Sequence, residues 1–223
     1  TSAGKTFTQT IYFDSIGGTV ELGDDFLLEA SRTVQFVQGT FNANNWNVTA
    51  RFQSGYGSAR TLNMGSGLWT LNGSGVVWTI NTTNLTFNKD TADILLNNTS
   101  TTARTFDGGG LTYNKLTIGG ATGTSTLTIT GANTFSELAS TKTVAHTITF
   151  GAHQTIDTWS VTGTSGNFVT INGNGATITN RTSGIDWLDV TDITASLTPV
   201  TFYAGANTIL RSNVQGVAAI APT

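Results

Sequence analysis

The chain has 223 residues, of which 10% are charged, with a formal net charge of −3 at pH 7 and no cysteine. Without cysteine there are no disulfides and no thiol chemistry, and the acidic balance provides no basic stripe, so we expect no nucleic-acid binding. No apolar run approaches the length of a membrane-spanning helix, so we expect no membrane insertion.

Threonine makes up about one residue in five, and glycine, asparagine and serine are also abundant. The charged fraction is well below the roughly one quarter found in ordinary globular proteins. Aromatic and β-branched residues are too frequent for a disordered chain. This composition is typical of stacked β structure, in which like side chains form ladders along the stack, and it predicts an all-β protein.

The first 30 residues differ in pattern from the rest of the chain. Residues 6–13 read as a strand, and residues 23–30 are the best helix candidate, with Asp24 at the capping position and acids in the first turn. We therefore predict an N-terminal segment, residues 1–30, whose strand and short helix cap a solenoid or attach it to a partner. Residues 31–223 would form the solenoid domain.

From Thr33 onward, alternating apolar and polar runs are separated by turn clusters every 8 to 12 residues or so. Residues 126–130 and 147–150 are clear examples of this alternation. Glycine and asparagine dominate the clusters, and both tolerate the positive φ angles of sharp corners. The pattern predicts many short strands joined by tight corners.

Apolar residues recur about every 21 positions. Such a period is a sign of a chain that winds or stacks. The first column contains Met64, Leu85, Phe106, Leu127, Ile148, Val169 and Val190, and the second contains Phe87, Ile129, Phe150 and Ile171. We predict a single-stranded parallel β-solenoid (β-helix) with coils of about 21 residues, in which the first column forms one buried ladder. A β-sandwich of the jelly-roll type is the alternative, because its strands have similar spacing.

One segment resembles a repeat of a known group of proteins. In residues 106–118 a Phe–Gly-rich turn precedes Tyr-Asn-Lys-Leu-Thr-Ile, which resembles a unit of Thr/Gly-rich β-solenoid proteins of bacteriophage virions and bacterial surfaces. Residues 127–135 and 161–167 are similar to the units that follow it, and residues 202–207 to the closing motif. The resemblance covers roughly residues 33–210. It implies a virion or extracellular stalk, fibre or surface decoration, and it carries over no catalytic residue.

The best acidic cluster is Asp186, Asp189 and Asp192. Three carboxylates suit Ca²⁺ binding or a glycan lyase or hydrolase, which needs a carboxylate pair at a defined separation. On a regular strand, however, Asp189 would point away from the other two. The two histidines, His146 and His153, flank one strand and are too far apart to cooperate. We therefore predict no catalytic, cofactor-binding or metal-binding residues.

Aromatic residues suggest a second kind of site, because aromatic rings pack on the apolar faces of sugars. Tyr56 and Trp69 are flanked by Gly-rich turns and are the candidates for an exposed glycan-binding surface, whereas Trp159 has the spacing of an inward ladder position. The Thr-x-Thr triplets also raise the hypothesis of a flat threonine face that binds ice.

The preferred functional prediction is a non-enzymatic structural protein of a phage virion (fibre, tail or capsid decoration) or of an extracellular surface assembly. Its partners would be other proteins of that assembly and further copies of itself. A glycan-binding adhesin module, which would recognise a host-surface glycan, is the first alternative, and a polysaccharide depolymerase is the second.

Overall fold

The computed structural model describes residues 2–30, 32–120, 122–196 and 202–219. These residues form 23 strands and no helix, and so no helix that could cross a membrane. All pairs between named strands are parallel, and 21 of the strands belong to one sheet. Coils of about 22 residues stack in about nine turns, so the chain is a β-solenoid and the predicted fold class is confirmed.

The strands are short and follow one another closely along the chain. Up to the middle of the chain they are β1 (Thr6–Phe7), β2 (Ile11–Glu21), β3 (Phe26–Leu28), β4 (Thr33–Asn42), β5 (Val48–Thr49), β6 (Arg51–Ser54), β7 (Arg60–Asn63), β8 (Trp69–Leu71), β9 (Gly75–Ile80), β10 (Leu85–Asn88), β11 (Ile94–Asn97) and β12 (Arg104–Asp107). The remainder are β13 (Thr112–Gly119), β14 (Thr126–Thr130), β15 (Thr134–Ser140), β16 (His146–Phe150), β17 (Thr155–Ser160), β18 (Val169–Arg181), β19 (Leu188–Ala195), β20 (Phe202–Tyr203), β21 (Ile209–Leu210), β22 (Val214–Gln215) and β23 (Val217–Ala218).

Each coil contributes strand segments to three rows that run along the stack. The first row contains β1, β3, β5, β8 and β11 and the second halves of β13, β15 and β17. The second row runs through the first halves of β2 and β4, then β6, β9, β12, β14 and β16, then the first halves of β18 and β19. The third row contains the second halves of β2 and β4, then β7 and β10.

Alternation along the strands divides the side chains between core and surface. In β14 and β16 the apolar residues are buried, and the threonines between them are half-buried on the outside. A strand places successive side chains on opposite faces, so this sequence pattern is satisfied only when one face is closed off from water. Fully burying one such apolar side chain contributes roughly 1.5–3 kcal/mol.

Aromatic rings pack against one another through the core of the first half of the stack. Phe52 and Trp78 stack with ring centroids 5.0 Å apart, and Trp78 stacks on Phe106 at 5.7 Å. The indole N–H of Trp78 donates to the Tyr113 hydroxyl at 3.1 Å, and that hydroxyl donates to the Gly108 carbonyl at 2.8 Å. The polar atoms of these two buried rings are therefore paired, which removes most of the cost of burying them.

The predicted ladder is correct in its faces and only partly correct in its register. Five members of the first column are buried in the second row: Phe106, Leu127, Ile148, Val169 and Val190. Leu127 and Ile148 are direct partners, as predicted. In the other three pairs, Phe106 with Ile129, Ile148 with Ile171 and Val169 with Leu188, the partner lies two residues from its expected position. A slip of two keeps each side chain on its original face, so burial survives while the column does not.

Two members of the first column fall outside this ladder. Leu85 lies on β10 in the third row, where it pairs with Arg60 and is only half-buried. Met64 is buried, directly after β7 of the same row. The cause is coil length: Gln35 pairs with a residue 18 positions on, whereas Thr79 pairs with Asp107, 28 positions on.

The predicted helix at residues 23–30 is wrong. Phe26–Leu28 is strand β3, which pairs with β1 on one side and β5 on the other, and it buries Phe26 and Leu28. Asp24 instead accepts hydrogen bonds from the backbone N–H groups of Ser2 and Ala3, both at 2.6 Å. Pairing on both edges outweighs a short helix with one capping residue.

The N-terminal segment is part of the same stack as the rest of the chain. Strands β1 and β2 form its first coil, β3 begins the second coil by pairing with β1, and all three belong to the 21-stranded sheet. The predicted boundary falls at residue 31, which lies outside the described residues. Trp159 is buried on β17, in agreement with its predicted inward position.

Candidate functional site

The three acidic candidates are held apart by contacts with the following coil. Asp186 lies before β19 and accepts bonds through Oδ1 from the Asn207 backbone N–H (2.9 Å) and through Oδ2 from the Asn207 side-chain amide (2.7 Å). Asp189, on the outer face of β19, forms a bidentate pair with Arg211 at 2.7 and 2.8 Å. The Arg211 guanidinium lowers the pKa of Asp189.

The third acid, Asp192, adopts a φ of +59° at a bend in β19, and its N–H donates to the Ser212 carbonyl. Within the described residues there is no group of three or more histidine, aspartate or glutamate side chains placed to hold a metal ion. These acids therefore act as links between coils, and Asp186 and Asp189 already have partners.

The same use of polar side chains recurs at the other end of the stack. Asp25 accepts from the backbone N–H and the side-chain amide of Asn47, at 2.9 and 3.1 Å. Asn47 in turn accepts from the Leu68 N–H in the next coil at 2.9 Å. Two of these bonds satisfy the corner backbone N–H groups of Asn47 and Leu68, so these side chains build the corners rather than a shared site.

The two aromatic candidates have opposite environments. Trp69 is 0% exposed, packs edge-on against Phe52 and donates its indole N–H to the Met64 carbonyl at 3.1 Å. The prediction that Trp69 is exposed is wrong, because its position on β8 faces the core, so it cannot reach a sugar. Tyr56 is 38% exposed in the corner between β6 and β7.

Tyr56 lies at the edge of a groove of about 350 Å³ on the outer surface of the second row. The groove is lined by Gln35, Gln53, Gly55, Tyr56, Val76 and Thr79. Gln35 and Gln53 are direct partners on neighbouring strands, and the Gln35 amide N–H donates to the Gln53 carbonyl at 2.8 Å. Thr79 follows in the next coil.

The groove combines a ring with neutral polar groups. None of the six lining residues is charged, and Val76 and the Tyr56 ring add apolar surface. The bond between the two glutamines leaves the Gln53 amide N–H groups and the Gln35 carbonyl to face a ligand, with the Thr79 hydroxyl beside them. A flat ring beside neutral donors and acceptors is the arrangement that recognises an uncharged sugar.

Sequence reasoning found Tyr56 but missed the other groove residues. Gln35 and Gln53 each alternate with buried neighbours, so their outward direction was readable from the sequence. The pairing of Gln35 with Gln53 could not be predicted, because these residues lie 18 positions apart whereas the predicted period was about 21.

Threonines also line up on the outer surface of the second row. Thr105, Thr128 and Thr149 are successive partners in adjacent coils. This line of paired residues continues with Asn172 and Thr191 in the next two coils. The Asn172 amide donates to the Thr149 hydroxyl at 3.1 Å, so the threonine row is interrupted after three coils.

Comparison of the chain with protein-family models, curated proteins and solved structures finds no match.

Proposed function

We propose that this protein is a non-enzymatic structural component of a virion or of an extracellular surface assembly, and that it presents a rigid β-solenoid rod. The observation that carries the proposal is the use of the polar side chains. Asp25, Asp186 and Asp189 each bond to the next coil instead of converging on a common point. Charged side chains that link neighbouring coils of the same stack favour a mechanically rigid rod.

The resemblance of residues 106–118 to units of phage virion and bacterial surface proteins supports the choice of assembly. Its partners would be other proteins of that assembly and further copies of this chain. Nine coils at about 4.8 Å each give a rod about 43 Å long, which is the size of a decoration or of one segment of a longer fibre.

The test combines negative-stain electron microscopy with multi-angle light scattering on the purified chain. We expect short rods that self-associate or bind to a larger assembly. A monomer that joins no assembly would contradict the structural role. Release of reducing ends from capsular or algal polysaccharides would contradict the non-enzymatic part of the proposal.

The groove beside Tyr56 favours a second candidate function, recognition of a glycan. Its neutral lining suits uncharged hexoses better than uronic acids, which would bring a carboxylate without a cationic partner in the lining. The function would be that of an adhesive module carried on the rod.

A glycan array followed by titration of the best neutral ligand tests this second function. We expect Tyr56→Ala to weaken binding roughly 2- to 10-fold, the worth of one aromatic contact. The matched control is Tyr203→Ala, which removes an equally exposed tyrosine on β20, outside the groove. An array without hits, or equal binding by both variants, would contradict glycan recognition at this groove.

A further inference from the structure

Arg104 is a buried charge whose donors are largely unused. It begins β12 with its side chain in the core, 1% exposed, and its Nη1 group donates to the Leu96 carbonyl at 3.4 Å. Its Nε and Nη2 atoms are buried and have no hydrogen-bond partner among the described residues. Burying a guanidinium in this way costs several kcal/mol unless its N–H groups find partners.

Arg60 shows how this fold satisfies a buried arginine when the chain supplies the acceptors. It is 3% exposed, and its Nε donates to the Ser58 carbonyl at 3.0 Å. Its Nη1 donates to the carbonyl and hydroxyl of Ser54, and its Nη2 to the carbonyls of Asn81 and Thr83 in the next coil. Among the described residues, Arg104 has one such side-chain bond, from Nη1 to the Leu96 carbonyl.

The unused donors lie at one corner of three successive coils, which we call the Arg104 corner. It is the passage from the first row, at the paired residues Leu96, Ile118 and Ser140, to the starts of β12, β14 and β16. Ser125 directly precedes β14 there, 3% exposed, and its hydroxyl also has no partner among the described residues.

The corner is cationic and contains no matching acid. Lys142 is buried and donates through Nζ to the carbonyls of Thr122 (3.0 Å) and Gly123 (2.8 Å). His146 is buried and contacts the Ser140 hydroxyl at 2.9 Å and the Val144 carbonyl at 2.8 Å. None of the hydrogen bonds and ion pairs of Arg104, Lys142 and His146 within the described part of the chain involves a carboxylate. Burial, with a smaller contribution from the nearby Arg104 charge, lowers the pKa of Lys142.

We propose that the Arg104 corner binds a small oxyanion of the phosphate or sulfate class, held by the Nε–Nη2 edge of Arg104 with the Ser125 hydroxyl as a further donor. That edge carries two parallel N–H groups, the fork that matches two oxygens of a planar or tetrahedral oxyanion. Two buried cations, Arg104 and Lys142, without an acid favour a negative ligand over water. A bound oxyanion would join neighbouring coils where the described residues provide no acceptor for Nε and Nη2 of Arg104.

The experiment follows the thermal midpoint of the full chain while phosphate or sulfate is titrated against sodium chloride at equal ionic strength. We expect a saturating rise for the wild type of roughly 3–6 °C at ten times the dissociation constant. Arg104→Lys keeps the charge but loses the fork, and Arg104→Met loses both, so neither should show the saturating rise. Arg211→Met, which removes an exposed arginine, should keep it.

An equal rise in all four proteins would reflect the general salting effect of these anions and would overturn the proposal. So would a wild type that does not respond, whose Arg104 donors would then be hydrated. If the Arg104 variants fail to fold, two further measurements still test whether the oxyanion site exists. Ser125→Ala should weaken binding of phosphate roughly ten-fold, and a crystal soaked in selenate should show an anomalous peak within hydrogen-bond distance of Arg104. Unchanged affinity together with no peak would overturn the site.

Discussion

At the scale of single residues, Arg60 shows how a charge is accommodated inside this stack. Its guanidinium is surrounded by carbonyl and hydroxyl oxygens of its own coil and the next, so every donor is used without a carboxylate. The Ser54 carbonyl also accepts the Asn81 backbone N–H at 2.9 Å, so Arg60 adds a second bond there. Arg60 is therefore a buried charge that also links two neighbouring coils through hydrogen bonds.

We expect Arg60→Met to lower the free energy of unfolding by about 3–5 kcal/mol, because the carbonyls of Ser58, Asn81 and Thr83 and the Ser54 hydroxyl lose a donor. Urea denaturation measures the difference. Arg211→Met is the control, since its ion pair with Asp189 is solvent-exposed and should be worth less than about 1 kcal/mol. Similar losses in both variants would show that the Arg60 bonds contribute little.

His146 is a second residue whose burial has a measurable consequence. Burial, with smaller contributions from the Lys142 and Arg104 charges, lowers its pKa below the ordinary 6.5, although the Val144 carbonyl opposes this. That carbonyl can only accept, so the neutral ring carries its proton on Nδ1 and accepts the Ser140 hydroxyl at Nε2. The folded chain therefore keeps this histidine neutral at a pH where the unfolded chain protonates it.

Stability should consequently fall as the pH drops below about 6.5, since the unfolded state then binds the additional proton. The loss is at most about 1.4 kcal/mol per pH unit, and between pH 7 and about 5.5 the carboxylates contribute little. Urea titrations in buffers without phosphate or sulfate test it. His146→Gln should flatten the dependence, and His153→Gln, at the other and exposed histidine, should leave it unchanged. An unaltered slope in His146→Gln would contradict the assignment.

At the scale of elements, the corners set limits that the strands do not. Gly120 follows β13 with a φ of +87°, and a Cβ at this position would overlap the Asn98 carbonyl oxygen of the preceding coil. Gly166 has a similar φ of +75° with open space around it. Substitution of Gly166 therefore reports the free-energy cost of backbone strain alone, whereas substitution of Gly120 adds the cost of a clash with the neighbouring coil.

We expect Gly166→Ala to cost about 1–2 kcal/mol, the penalty for a left-handed conformation with a side chain. Gly120→Ala should cost about 1–3 kcal/mol more, because the coils must move apart. Urea denaturation of both variants gives the comparison. Equal losses would show that the corners of adjacent coils are not in close contact.

The positions of the strands could be predicted from the sequence more reliably than the strand with which each one pairs. Alternation around Leu127 and Ile148 identified both the strands and their inward faces, because burial on one face leaves a period of two in the sequence. The partner of Gln35 depends on the length of the intervening corner, which no local pattern encodes. The helix expected near Asp24 failed for a related reason, since pairing with distant strands decided the conformation of Phe26 and Leu28.

The groove and the Arg104 corner show the same limit for sites. Each is assembled from residues in different coils, and in the second row the spacing between paired residues varies from 18 to 29 positions. A search for short motifs had nothing to detect. Tyr56 was identifiable because exposure of an aromatic residue among glycines can be inferred locally.

At the scale of the whole molecule, the chain is one continuous stack in which each coil contacts mainly its neighbours. Stability in such an architecture is approximately a sum over coils and their interfaces. Among the described residues, β2 pairs with β4 and with no other strand.

The most direct test of the continuous stack is to measure spin-label distances along its outer surface, which the absence of native cysteine makes straightforward. One label would be placed at Thr191 and the second at Thr105, Gln53 or Tyr12, which lie in the same row four, six and eight coils away. At about 4.8 Å per coil, pulsed electron–electron double resonance should give label-to-label distances of about 19 Å for Thr105, 29 Å for Gln53 and 38 Å for Tyr12. Distances that do not lengthen steadily from Thr105 to Tyr12 would contradict a single stacked rod.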